Sequence, residues 1–303
     1  MTRQRKAEVY ILATTFVYGS TFVIARGLLD HITPLIYTGI RFVLASLIVV
    51  IFYFRRVKTI PTSTWIKGSV LGILLFIGFA VQTIGLQYTT TSKSAFFTGM
   101  LVVFTPIVHF SLKNILKLER KPLMYGNILG VVLAALGLYL LTSPSGGTFN
   151  IGDALSLVCA FLFALYIVYL DFASSEPDKI QLIFVQFILC GILGFVSAWL
   201  FEDIRIEITQ NALLSLAYLT IFATVISMWI QNQYQGDTTP TRVAVIFSLE
   251  PVIAGIFGYT VRGENIGMTG LIGGVIIMTG LLLSELSEEI PMLKINMVNR
   301  NPE

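Results

Sequence analysis

Two ionisable side chains, Arg41 and Glu250, stand inside long apolar stretches of this sequence. A charge at the centre of a membrane-spanning helix costs about 2.5–3.5 kcal/mol even on the most permissive scale, so such residues are paired, hydrated or functional. Glu250 is followed by Pro251, which has no N–H and therefore frees a backbone carbonyl one turn earlier. A carboxylate beside an irregular helix can hold a substrate or a proton; it can equally pair internally and fix packing. Arg41 can complement Glu250, attract an anion, or bond loop carbonyls near the interface. Gln82 lies mid-stretch in a third apolar run, where an unpaired amide is expensive, and reads either as a site residue or as interhelical glue.

Aromatic side chains suited to walling a cavity are Tyr18, Phe79, Phe97, Phe104, Tyr166, Tyr169 and Trp229, since pockets for small organic solutes are largely apolar with a few polar groups. The expected substrate-contacting set is Tyr18, Gln82, Phe97, Tyr166, Trp229 and Glu250, with Glu250 and Arg41 in coupling or charge pairing. Trp229, close to Gln231 and Asn232, can instead anchor at the inner interface. Lys93 and Arg242 each fall in the first turn of a helix, where they can meet a carboxylate at a cavity mouth or snorkel to headgroups.

Other chemistries find little material. The two histidines, His31 and His109, lie far apart in sequence, and no His-Glu-x-x-His motif is present. Asp153 and Asp171 sit at opposite ends of one apolar run, roughly 27 Å apart if helical. Cys159 and Cys190 lie within apolar runs and read as small hydrophobes rather than as a disulfide or a metal knuckle. The pairs Gly68/Gly72, Gly126/Gly130 and Gly270/Gly274 place small residues on one helix face and suit close helix crossings. None opens a phosphate-binding loop. No metal, cofactor, catalytic residue or nucleic-acid partner is expected, and an embedded enzyme or sensor is the alternative to a carrier.

The elements that must position these groups are set by composition. Of 303 residues 55% are hydrophobic and 12% charged, about half the charge of a soluble domain. Apolar runs near 9–25, 35–54, 66–87, 94–112, 124–142, 152–170, 180–201, 212–232, 241–261 and 267–286 each approach the ~20 residues that cross a bilayer core. Lipid offers no partner to backbone amides, and continuous apolar runs select helices over a barrel. The expectation is an all-α integral membrane protein of ten transmembrane helices around a central cavity.

Lys and Arg number fifteen in the loops and tails on one side and four on the other when alternate connections are counted. That bias puts both termini in the cytoplasm of a multi-pass plasma (inner) membrane protein. The net charge of +3 reflects this bias more than any partner. The basic N-terminus is followed by no small-residue cleavage site and reads as an uncleaved first helix. A shift of 145 residues lays Arg41-Phe42 on Gln186-Phe187, Tyr18-Gly19 on Phe163-Ala164, Pro106 on Pro251 and Glu119 on Glu264. The chain therefore divides into a first five-helix repeat, 1–145, a second, 146–290, and a tail, 291–303, with the neutral connector Ser143-Pro144-Ser145-Gly146-Gly147 at the boundary. An odd number of spans per repeat inverts the second half relative to the first, an arrangement used by secondary transporters.

These residues resemble the drug/metabolite transporter superfamily and, within it, the EamA-type proteins, over roughly residues 7 to 286. The resemblance is carried by Tyr18-Gly19-Ser20-Thr21-Phe22, Arg41-Phe42, Thr91-Ser92-Lys93-Ser94-Ala95-Phe96, Thr241-Arg242-Val243-Ala244, the Leu249-Glu250-Pro251 signature and Gly263-Glu264-Asn265. Tyr18 departs from the tryptophan common at that place. The resemblance implies a ten-helix carrier working by alternating access, usually an exporter of small metabolites such as amino acids or of toxic compounds. Proton-gradient coupling through Glu250 or substrate exchange would drive it; oligomeric state is left open.

Overall fold

The computed structural model describes residues 2–112, 114–116, 125–142, 149–263 and 267–286. The connector 143–148, the basic residues Lys113, Lys117, Arg120, Lys121, Lys294 and Arg300, the pair Glu119 and Glu264, and the tail lie outside these. Regular structure is helical: α1 (Arg3–Leu28), α2 (Pro34–Val57), α3 (Thr62–Leu86), α4 (Thr91–Gly99), α5 (Leu101–Leu112), α6 (Tyr125–Thr142), α7 (Ile151–Ala173), α8 (Lys179–Phe201), α9 (Gln210–Tyr218), a π-helical stretch (Leu219–Ile226), α10 (Ser227–Tyr234), α11 (Pro240–Phe247), α12 (Glu250–Arg262) and α13 (Gly267–Leu286). Among the described residues eight helical stretches are long and apolar enough to cross a membrane, counting α4–α5, α9–α10 and α11–α12 as continuous, and α6 and α13 are shorter apolar helices. Large apolar side chains such as Phe16, Phe52, Val132, Trp199 and Ile272 are exposed around the bundle. That much exposed apolar surface fits a lipid solvent rather than water.

Local chemistry explains where helices start and break. Thr90 and Thr239 cap α4 and α11, each accepting from a backbone N–H three residues on, which satisfies one of the orphan donors of a helix start. α7 opens on a reciprocal capping box between Asn150 and Asp153, the arrangement that satisfies two such donors at once. One apolar run breaks at Met100, between α4 and α5; another breaks at Ser248-Leu249, with Pro251 in the first turn of α12. In the π-helical stretch the Thr224 hydroxyl bonds the Leu219 carbonyl and the Ser227 hydroxyl bonds that of Phe222, both five residues back.

Helix pairs approach through glycine. A Cβ at Gly194 of α8 would lie 2.6 Å from Gly39 Cα of α2, and one at Gly191 would lie 2.6 Å from Val43; the reversed order of the partners makes the pair antiparallel. Gly137 of α6 meets Gly273 and Ile277 of α13, and Gly280 meets Gly130. Gly68 and Gly72, expected to serve packing, lie against Val185 and Gln186 of α8. The packing is matched between halves. α1 lies on α12 as α5 lies on α7, α12 lies on α4 as α11 lies on α5, and α3 lies on α7 as α10 lies on α1.

Polar ties close the helix ends. The Glu8 carboxylate accepts from Arg242 at 2.6 Å and from Thr238 at 2.9 Å, and the Asp153 carboxylate accepts from Thr89 at 2.6 Å and lies 3.5 Å from Lys93 Nζ. Lys93 and Arg242 are each drawn to a buried acid of another helix. Glu176, in the connection between α7 and α8, accepts from Thr64 at 2.6 Å and pairs with Lys67 at 2.8 Å. Burial alone would raise its pKa, but the Lys67 ammonium and the Thr64 and Ser63 hydroxyls hold it below the usual carboxylate range.

Candidate functional site

The breaks in the helices converge on a cavity of about 600 Å³ including its mouth. Leu101 at the start of α5, Phe247 at the end of α11 and Glu250 at the start of α12 line it, with Met228 and Gln231 just after the π-helical stretch. Its walls are mainly aromatic: Tyr18, Phe79, Phe163, Tyr166 and Phe247 all face it.

Arg41 is 2% exposed, a charge tolerable only because its guanidinium is well met. Nε donates to Thr224 Oγ1 at 2.6 Å, Nη1 donates to the Tyr37 hydroxyl at 2.9 Å, and Cζ lies 4.8 Å from the Phe79 ring centroid. The aromatic face adds a cation–π attraction. No hydrogen bond from the described residues occupies Nη2, and the residue lines the cavity. Arg41 thus bonds the side chains of Thr224 and Tyr37 inside the bundle, not loop carbonyls at the interface.

Glu250 also lines the cavity, and no group among the described residues bonds or pairs with its carboxylate. Arg41 and Glu250 do not form an ion pair, so the cavity presents one guanidinium and one carboxyl group separately. Gln82, from α3, faces the same space. Tyr18 donates from its hydroxyl to Gln231 Oε1 at 3.4 Å and stacks edge-on with Phe247. Tyr166 donates to Gln186 Oε1 at 2.8 Å, and Gln186 Nε2 donates to Asn232 Oδ1 at 2.9 Å. At the position matching Arg41 in the other half, then, Gln186 is locked into a protein network.

Of the residues expected from sequence, the structure brings together Tyr18, Arg41, Gln82, Tyr166 and Glu250. Phe97 and Trp229 are outside the cavity. Phe97 packs edge-on between Phe96 and Phe149, and Trp229, 38% exposed, turns to the bundle's exterior. Of the remaining aromatics Phe79 lines the space, whereas Phe104 packs on Phe161 and Tyr169 on Phe172. Sequence reasoning missed Phe163, the repeat partner of Tyr18, and it assigned Gln231 to the inner surface. The 145-residue shift would have found Phe163; Gln231 depends on the register of the π-helical stretch. Among the described residues no cluster of three or more His, Cys, Asp or Glu could hold a metal.

A bundle of apolar helices with interior helix breaks around an aromatic-lined cavity is the architecture of a membrane carrier. The sequence matches the EamA-like transporter family twice, over residues 5–143 and 150–286. The chain belongs to that family, in which small solutes are moved by secondary transport, and to the drug/metabolite transporter superfamily. An uncharacterized transporter of Archaeoglobus fulgidus is 31% identical, with 92% of this chain and 86% of that protein aligned. A probable amino-acid metabolite efflux pump of Salmonella typhimurium is 29% identical over 92% of this chain and 95% of its own, and its counterpart in Escherichia coli is 27% identical with the same coverage. A solved crystal structure shares the fold, with a TM-score of 0.77 at 16% identity over 95% of this chain and 99% of its own.

Proposed function

We propose that this protein is a secondary exporter of small zwitterionic metabolites of the amino-acid type. The observation that carries the reading is the cavity's separated pair: a guanidinium with one unbonded amino group, an unpaired carboxylate, and aromatic walls between them. Arg41 receives the substrate carboxylate, Glu250 receives its ammonium group or a coupling proton, and Tyr18, Tyr166 and Gln82 surround the side chain. The relatives named as amino-acid metabolite efflux pumps support the substrate class.

Alternating access follows from ten transmembrane helices in two inverted repeats, 1–145 and 146–290, with both termini and the tail 291–303 in the cytoplasm of the plasma membrane. The matched packing of the halves and the fifteen-to-four excess of basic residues support this arrangement, as does the rule that inverted repeats place their site near the midplane.

Counterflow of radiolabelled neutral amino acids in proteoliposomes tests the function. Wild-type protein is expected to exchange them, Arg41→Gln to raise KM, and Glu250→Gln to abolish dependence on a proton gradient. Exchange that survives Glu250→Gln with its gradient dependence intact removes Glu250 as the proton carrier. The absence of exchange for every amino acid, with exchange of cationic dyes or sugars instead, overturns the substrate class.

A further inference from the structure

Arg41 is aimed by a group that belongs to no ordinary α-helix. Its Nε donates to Thr224 Oγ1 at 2.6 Å, and Thr224 is itself buried and sits within the π-helical stretch Leu219–Ile226. The same hydroxyl donates to the Leu219 carbonyl at 2.9 Å, so its proton and one of its two lone pairs are committed. π-helical turns inside α-helices occur mostly as functional features. Here the stretch sets the face on which Thr224 points at α2, and the register that brings Met228 and Gln231 of α10 to the cavity. With Nε held by Thr224, Nη1 by Tyr37 and one face against Phe79, the edge bearing Nη2 is the part of the guanidinium left for a ligand.

We propose that Thr224 is a positioning residue that orients Arg41 to accept the substrate's carboxylate. This rests on the reading of Arg41 given under the proposed function. The test compares transport of an amino acid with that of its carboxamide, a ratio insensitive to how much protein is folded. Wild type is expected to favour the acid, and Thr224→Val to lose about tenfold or more of that preference through KM, the scale of a hydrogen bond to a charged group. Thr224→Ser, which keeps the hydroxyl, is expected to retain it. Loss of the preference in Arg41→Gln together with its survival in Thr224→Val overturns the positioning role while leaving Arg41 as the carboxylate site. Survival of the preference in both variants overturns the reading of Arg41 and the role of Thr224 with it.

Glu8 and Asp153 carry a second inference on separate grounds. They stand 145 residues apart, at the same place in the two halves, and both are buried at 4% and 0% exposure. Glu8 is bonded to Thr238 and Arg242 at the start of α11, and Asp153 to Thr89 and Lys93 at the start of α4. Each acid thus holds the first turn of the broken helix of the opposite half. On the inverted arrangement proposed above, α1 and α7 run antiparallel, and the two ties belong to opposite faces of the membrane.

We infer that these are two latches whose alternate release opens the cavity to one side and then the other. The experiment uses a variant with Cys159→Ala, Cys190→Ala and a reporter Thr21→Cys in the cavity wall, labelled in oriented proteoliposomes by an impermeant thiol reagent. Glu8→Gln or Arg242→Gln is expected to speed labelling from the side of the N-terminus, and Asp153→Asn or Lys93→Gln from the opposite side. Unchanged labelling in all four variants, or acceleration from one side only, overturns the latches.

Discussion

Removing Glu8 tests the energetics of the bundle at the most deeply buried ion pair among the described residues. The Glu8 and Arg242 side chains are 5% and 3% exposed and approach to 2.6 Å. Glu8→Ala removes the carboxylate that meets the Arg242 guanidinium at 2.6 Å. Breaking one partner of a buried pair costs about 3–5 kcal/mol, and Thr238 loses an acceptor as well. A hundredfold or larger fall in the folded-to-unfolded ratio is therefore expected, since about 1.4 kcal/mol is tenfold. Replacing both partners, Glu8→Met with Arg242→Met, removes the desolvation of two charges along with their attraction and is expected to recover most of the loss. The assay is a double-mutant cycle on denaturant unfolding in mixed micelles. A single-variant cost below about 1 kcal/mol, the level of an exposed pair, or a double variant as unstable as the two losses summed, refutes the argument.

Gly194→Ala places a methyl 2.6 Å from the Gly39 backbone, an overpacking expected to lower stability by about 1–3 kcal/mol. Gly27→Ala, with nothing within 4 Å of the new methyl, is expected to hold or raise it by up to about 1 kcal/mol; melting temperatures of the two variants in one detergent check the contrast. Glu176, whose pKa lies below the ordinary carboxylate value of 4.5 because of Lys67, Thr64 and Ser63 despite its burial, contributes stability that is present above that value. The contribution is lost as pH falls through the lower, folded value, so a thermal melt of wild type should drop on acidification below about 4.5 more steeply than that of Glu176→Gln; parallel curves contradict this. Trp229→Leu, on the exterior, is expected to leave KM for a transported amino acid unchanged, whereas Tyr18→Leu raises it.

The helices and most of the cavity's chemistry were legible because lipid imposes a simple pattern: about twenty apolar residues, with any polar group inside the run conspicuous. Arg41, Gln82 and Glu250 stand out for that reason, and Tyr18 through its place in the family's motif. Glu8 escaped notice, and Asp153 was weighed only as half of a metal pair with Asp171, because an acid at the end of an apolar run reads as solvated; only the fold brings Arg242 and Lys93 to them. Trp229 was misplaced because aromatic type does not encode which face of a helix looks inward. The π-helical stretch leaves no mark in an apolar run such as Leu219-Thr220-Ile221-Phe222, so Thr224 and Gln231 could be assigned only from coordinates.

The glycine crossing of α2 and α8 has a mechanical consequence. Where Gly39 and Gly194 bring the two backbones together with no room for a Cβ, pulling the helices apart would leave a gap lined by main chain with no side chain to fill it, and the dispersion contacts of the crossing would be forfeited. Small rotations about the contact keep it intact. On the alternating-access reading the pair would act as a hinge pin, with the travel falling to the helices broken at Met100 and at Ser248-Leu249.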